Sequence, residues 1–215
     1  MKSIIFIAPP AAGKGTQSEL LVDKYNYEHI STGDILRNAV ESKSELGNKV
    51  KQIMDEGKLV SDDVMIKLIS NKLSNASNKP FILDGFPRTL EQAKALTILL
   101  NEKNIDYQVI YLELSEEKAK ERILGRRTCK CGRSYNIYNE KLKPKVDNIC
   151  DYCGSTLEKR SDDNEESFKK RYSTFVTNNG PIIEYYKKLN NLVTINVDCD
   201  KLEIFNKISE VINND

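Results

Sequence analysis

The sequence predicts an α/β protein, a parallel five-stranded sheet flanked by helices. Three observations predict it. Short runs rich in Ile, Val, Leu and Phe recur at Ser3–Ala8, Phe81–Asp84, Gln108–Leu114 and Leu192–Val197, with a weaker one at Glu28–Ser31. Such runs suit strands buried on both faces. Helical patterns fill the intervals between them, and strands alternating with helices imply crossover connections within one sheet. The third observation is the segment 126–162, which breaks this rhythm and reads as an insertion.

The bulk numbers fit one such domain with a small inserted lobe. The chain has 215 residues, 39% hydrophobic and 30% charged, enough for a real core under a solvated surface. Lys plus Arg number 33 against 32 for Asp plus Glu, a net charge of +1. No overall field draws the protein to nucleic acid or to an anionic membrane, so an anionic ligand has to be held by local clusters. The apolar stretch after Met1-Lys2 is too short for a secretion signal, and Pro9, Pro10 and Lys14 follow it. No run reaches the ~20 apolar residues of a membrane span. A cytoplasmic protein is therefore expected, and in a reducing compartment its five cysteines are metal ligands or free thiols before they are disulfides.

Taken in order, the first run leads into Ala8-Pro-Pro-Ala-Ala-Gly-Lys-Gly-Thr16. This is a phosphate-binding P-loop, set between strand and helix where such a loop belongs. Backbone N–H groups would curl around phosphate, Lys14 would reach the β and γ phosphates, and Thr16 would offer its hydroxyl to the Mg²⁺ shell. The usual first glycine is Ala8 here. If Ala11 has to be left-handed, its Cβ brings strain.

Ser31 followed by Asp34 is a capping-box-like start for the helix of Ile35 and Leu36. Ser61, Asp62 and Asp63 form another helix start, and Met65, Leu68, Ile69 and Leu73 share one face of that helix. Asp84 closes an apolar strand, as an acid near Mg²⁺ often does beside a P-loop, with a turn or cap acid as the bland reading. His29, the only histidine, is read as structural.

Segment 126–162 holds four of the cysteines. Cys129-Lys-Cys131 and Cys150-Asp-Tyr-Cys153 are each followed by Gly. Four thiolates so spaced suit a tetrahedral structural Zn²⁺, one per chain, with no open position for catalysis. Unliganded thiols are the alternative. The lobe lacks the apolar residues to hold itself together, and metal ligation can supply that folding energy. Cys199 is a bystander thiol.

The stretch Asp84-Gly-Phe-Pro-Arg-Thr-Leu-Glu-Gln92 closely resembles the adenylate kinase signature. Ser31-Thr-Gly-Asp-Ile-Leu-Arg37, Gly57-Lys-Leu-Val60, Gly125-Arg-Arg127, Arg160-Ser-Asp-Asp-Asn-Glu-Glu166 and Lys170-Arg171 are similar to further landmarks of that family, in order and at its spacing. The resemblance covers nearly the whole chain. It implies a nucleoside monophosphate kinase fold with a core of residues 1–30, 61–125 and 163–215, an AMP-binding lobe of 31–60 and a zinc-bearing lid of 126–162. The implied reaction is Mg²⁺-dependent, in-line and reversible, ATP plus AMP giving two ADP.

Matching positions imply roles. Ala11, Ala12, Gly13, Lys14, Gly15, Thr16, Arg126, Ser134 and Tyr135 would bind ATP, with Cys199 touching its adenine through the backbone. The AMP site would comprise Thr32, Arg37, Lys58, Leu59, Val60, Gly85, Phe86, Pro87, Arg88 and Gln92. Thr32 and Gln92 would read the adenine, and Arg37 and Arg88 would hold the phosphate. Arg160 and Arg171 would lie between the nucleotides, and Lys14, Arg88, Arg126, Arg160 and Arg171 form the catalytic set. Asp84 would hold Mg²⁺ through water. One departure is that the family usually has two residues between the first two cysteines, where this chain has one.

Phosphoryl transfer explains so many cations, because it asks for in-line placement of two polyanions and compensation of charge on the equatorial oxygens. Arg does this with a planar fork that stays charged. Arg122 and Arg133 are read as solvated surface charges, and Arg127 is left without a role. A monomer with no nucleic-acid or membrane partner is expected. Two rivals are a kinase for GMP or a pyrimidine nucleotide, and a zinc-ribbon module binding nucleic acid through Lys130, Arg133, Tyr135, Tyr138, Lys141, Lys143 and Lys145.

Overall fold

The computed structural model describes residues 1–41, 45–55, 60–74 and 79–213. In chain order the elements are β1 (Ser3–Ile7), α1 (Lys14–Tyr25), β2 (Glu28–Ser31), α2 (Thr32–Glu41), α3 (Glu45–Asp55) and α4 (Asp62–Ser74). Then come β3 (Phe81–Asp84), α5 (Leu90–Glu102), β4 (Tyr107–Glu113), α6 (Glu116–Gly125), β5 (Arg126–Thr128) and β6 (Ser134–Asn136). The chain ends with α7 (Glu165–Lys188), β7 (Leu192–Asn196) and α8 (Lys201–Asn213).

Five strands form one sheet in the order β2-β3-β1-β4-β7, and every neighbouring pair is parallel. All five apolar runs become strands. β1 occupies the middle and is buried along its whole length, which is why it reads as a continuous apolar run. Its side chains alternate between two cores. Ile5 and Ile7 join Leu83, Ile69 and Leu96 on one face, while Ile4 and Phe6 join Leu21, Ile110 and Ile208 on the other. The period-2 alternation of a strand thus assigns each core its share. On α4, Met65, Ile69 and Leu73 are buried and Leu68 is half-buried against the same core.

Parallel strands send their C-terminal ends to one edge, and open α/β sheets bind ligands there. The loop 8–13 leaves β1 at this edge, Thr32 leaves β2, and Gly85 leaves β3. Ser31 Oγ accepts from the Asp34 backbone N–H at 3.2 Å, the local bond the sequence calls for.

The segment after α6 has its own small antiparallel pair, β5 with β6. The apolar cluster beneath it consists of Cys129, Cys150 and Leu157, with Tyr135 packed against them. Among the described residues, no helix is long and apolar enough to cross a membrane.

Candidate active site

Lys14 opens α1, directly after Gly13 at φ 96°. Its Nζ lies 3.4 Å from the carbonyl oxygens of Ala8 and Pro9, so the loop holds the ammonium by weak contacts only. Burial, together with the charges of Arg88, Arg171 and Arg126, lowers Lys14 to about 8 against the opposing pull of Asp84. A cation held at that cost is poised for a polyanion.

Gly85 has φ 88°, and a Cβ there would run into Thr32 Oγ1 and crowd the Arg88 guanidinium. Glycine is therefore required both for the backbone and for the close approach. Arg88 Nε donates to the Gly85 carbonyl at 2.8 Å, and burial lowers its affinity for the proton, as it does for Arg171 and Arg160. Lys14, Arg88 and Arg171 line one cleft together with Gly85, Pro87 and Thr174. Loop, strand end and the long helix α7 each contribute one cation to it.

Asp84 is the last residue of β3. Burial would raise its carboxyl, but His29, Lys14 and Arg88 outweigh that and hold it below the usual carboxylate range. His29 Nε2 stands 3.8 Å from Asp84 Oδ2, outside hydrogen-bond reach.

The other expected residues fall as follows. Thr32 is buried and its hydroxyl donates to the Asp84 carbonyl at 3.1 Å. Arg37 is bound to Asp34, one turn away on α2. Val60 and Phe86 are core residues, and Pro87 follows Phe86 through a cis peptide bond. Their backbone can face a ligand, whereas the Val60 and Phe86 side chains serve the core. Gln92 is 2% exposed and accepts from the Arg88 backbone N–H at 2.8 Å. Lys58 and Leu59 lie outside the described residues. Ala11 has φ 60° and Ala12 is fully buried. Ser134 is exposed, and Cys199 is half-buried on the loop after β7. The Tyr135 hydroxyl faces the cysteines, 3.4 Å from Cys150 Sγ, and accepts from the Asp151 N–H at 2.9 Å.

The family profile described as Adenylate kinase matches residues 6–191. The chain is 48% identical to a protein named Adenylate kinase from Thermosipho africanus (strain TCF52B), over 98% of both chains. It is 45% identical to one of the same name from Methanosarcina barkeri (strain Fusaro / DSM 804), and 40% to one from Clostridium tetani (strain Massachusetts / E88), again over 98% of each chain. This chain belongs to the adenylate kinase family.

Adenylate kinases use Mg²⁺ with ATP. The four cysteines form a second site. Their sulfurs all lie within 4.8 Å of one another, with Cys129 to Cys153 at 3.4 Å and Cys131 to Cys150 at 3.8 Å. None is in a disulfide. A tetrahedral thiolate site with bonds of ~2.3 Å has edges of about 3.8 Å, so the cluster fits a metal ion. The short Cys129-Lys-Cys131 pair is accommodated by its turn. Gly132 N–H bonds back to the Cys129 carbonyl, three residues away, whereas Gly154 N–H reaches the Cys150 carbonyl, four residues away. Both glycines have positive φ, 93° and 69°, so one residue is removed and the closing glycine kept.

One expectation is corrected. Arg122 is not a solvated surface charge: it is half-buried and donates to the Val197 carbonyl at 2.8 Å. It ties α6 to the loop carrying Cys199, and burial lowers its proton affinity. Arg133 is exposed, over the Tyr152 ring at 4.2 Å. Asp62 belongs to the Ser61 helix start and Asp163 to the Arg160–Glu166 landmark, but neither pattern names Gln92 or Arg126 as its partner.

Proposed function

We infer that this chain catalyses the reversible transfer of the terminal phosphoryl group of ATP to AMP. The observation that carries this reading is the convergence of Lys14, Arg88 and Arg171 on one cleft, each with lowered proton affinity from burial. Such a group of desolvated cations is costly unless a polyanion neutralises it.

In this reading the backbone of Ala11–Thr16 and Lys14 take the ATP phosphates, with Arg126, Ser134, Tyr135 and the backbone at Cys199 as further ATP contacts. Thr32, Arg37, Lys58–Val60, Gly85–Arg88 and Gln92 take AMP. Arg160 and Arg171 stand between the nucleotides and compensate charge on the group in transit. Asp84, through water, and Thr16 would hold Mg²⁺, which supplies neutralisation of phosphate charge. The cysteines would hold one structural zinc, which supplies folding energy to the lobe.

We assign residues 1–30, 61–125 and 163–215 to the core, 31–60 to an AMP lobe and 126–162 to a lid. Closure of the two lobes would exclude water and so suppress ATP hydrolysis. A cytoplasmic monomer without nucleic-acid or membrane partners completes the reading. The test is a coupled assay for ADP from ATP, AMP and Mg²⁺, with GMP, CMP and UMP as alternative acceptors. Robust transfer to AMP is expected. Transfer to another acceptor alone, or salt-dependent binding of single strands without transfer, would overturn the reading.

A further inference from the structure

Both ends of the Gln92 carboxamide are engaged. Its Oε1 accepts from the Arg88 backbone N–H at 2.8 Å, and its Nε2 donates to Asp62 Oδ1 at 2.7 Å. These partners decide which end is oxygen and which nitrogen, since a backbone N–H only donates and a carboxylate only accepts. A half-turn of the amide would set NH₂ against the Arg88 N–H and oxygen against the carboxylate. Asp62 is fixed in turn. Its Oδ2 accepts from Thr89 Oγ1 at 2.9 Å, and Thr89 caps α5 by accepting from the Gln92 N–H at 3.2 Å. A ring of hydrogen bonds therefore joins the first residue of α4 to the start of α5.

The ring leaves Gln92 one free lone pair on Oε1 and one free N–H on Nε2, in a fixed order. A 6-aminopurine offers a donor at N6 and an acceptor at N1, while a 6-oxopurine offers the reverse, an acceptor at O6 and a donor at N1. A freely turning amide could meet either. We propose that Asp62 is a specificity-determining positioning residue, which locks the Gln92 amide in the orientation that accepts a 6-aminopurine nucleotide and refuses a 6-oxopurine one. This rests on the reading that Gln92 meets the base of AMP. A site built from oriented polar groups discriminates because the wrong base leaves those groups unpaired.

The experiment compares kcat/KM for AMP and for inosine monophosphate, which differ at this edge alone, in the parent, Asp62→Ala, Asp62→Asn and Gln92→Ala, with thermal melts of each. The preference for AMP is expected to shrink at least about tenfold in Asp62→Ala. It should also shrink in Asp62→Asn, whose own amide can serve either end of Gln92 while keeping the polar link between helices. A merely structural role would move the melting temperature and both substrates together, leaving the preference unchanged. That result in both Asp62 variants, with the preference lost in Gln92→Ala, overturns the proposal and leaves Gln92 as the reader. An unchanged preference in Gln92→Ala means the base is read elsewhere, and both ideas fall.

Discussion

The Arg126 guanidinium holds the Asp163 carboxylate by two hydrogen bonds, Nε to Oδ2 at 2.8 Å and Nη2 to Oδ1, and the carboxylate is completely buried. Arg126 begins β5, and Asp163 lies just before α7. The pair therefore ties the start of β5 to the residues just before α7 and fixes the orientation of the guanidinium.

Removing the acid leaves a half-buried cation unpaired. Breaking a buried pair from one side costs about 3–5 kcal/mol, which in a chain of this size is roughly 10 °C in melting temperature. Asp163→Ala is expected to show that drop together with weaker ATP binding. A melting shift below about 2 °C would mean that water or another acceptor replaces the carboxylate.

The cysteine cluster gives a separate prediction. Replacing Cys150 and Cys153 with Ser should release about one zinc per chain and lower the melting temperature, because the lobe's own apolar cluster has only Leu157 and Tyr135 besides two of the cysteines. Transfer should persist at low temperature, since the cleft lined by Lys14, Arg88 and Arg171 includes none of the cysteines. Elemental analysis and a melting curve check it, and metal-free parent protein would rule it out.

Much of this was legible in advance because the informative signals are local. Four apolar runs and a weaker fifth read as strands from their own residues, and the loop from Ala8 to Thr16 carries its pattern in consecutive residues. What escaped was non-local. Asp163 bonds to a residue 37 positions away and Asp62 to one 30 positions away, and each lies beside another acid that looks the same in sequence. Arg122 looked like a surface charge because nothing in its neighbourhood announces the Val197 carbonyl. The turn at Cys129–Gly132 was visibly one residue short, but how it would close was not.

Lys14 should make ATP binding depend on pH. Its buried ammonium titrates at about 8 in the free protein, and bound phosphate would draw the proton back. Affinity should therefore fall as pH rises above 8 and be insensitive to this group below 7. The unfolded chain, at the ordinary 10.5, binds more protons between 8 and 10.5. On this group alone the ligand-free fold gains stability with rising pH in that window. Calorimetry in two buffers of different ionisation heat should find proton uptake near zero per ATP at pH 7 and approaching one at pH 9. Equal uptake at both pH values would show that Lys14 keeps its proton throughout.

The two loop alanines should respond oppositely to glycine. Ala11 has φ 60°, the left-handed region where a Cβ costs roughly 1–2 kcal/mol. Ala8 is not among the residues with positive φ, so the absent first glycine brings no strain of that kind. Glycine also loosens the unfolded chain, a loss of about 0.4–1 kcal/mol at either position. For Ala11→Gly relief of strain exceeds that loss, and the melting temperature should rise by a few degrees, with ATP binding several-fold tighter as the loop populates its binding shape more fully. For Ala8→Gly only the loss remains, and stability should fall slightly with ATP affinity little changed. Melting curves and ATP dissociation constants at one temperature and fixed Mg²⁺ separate the two. If Ala11→Gly weakens both stability and binding, the surrounding loop already accommodates that Cβ, and strain plays no part in tuning the site.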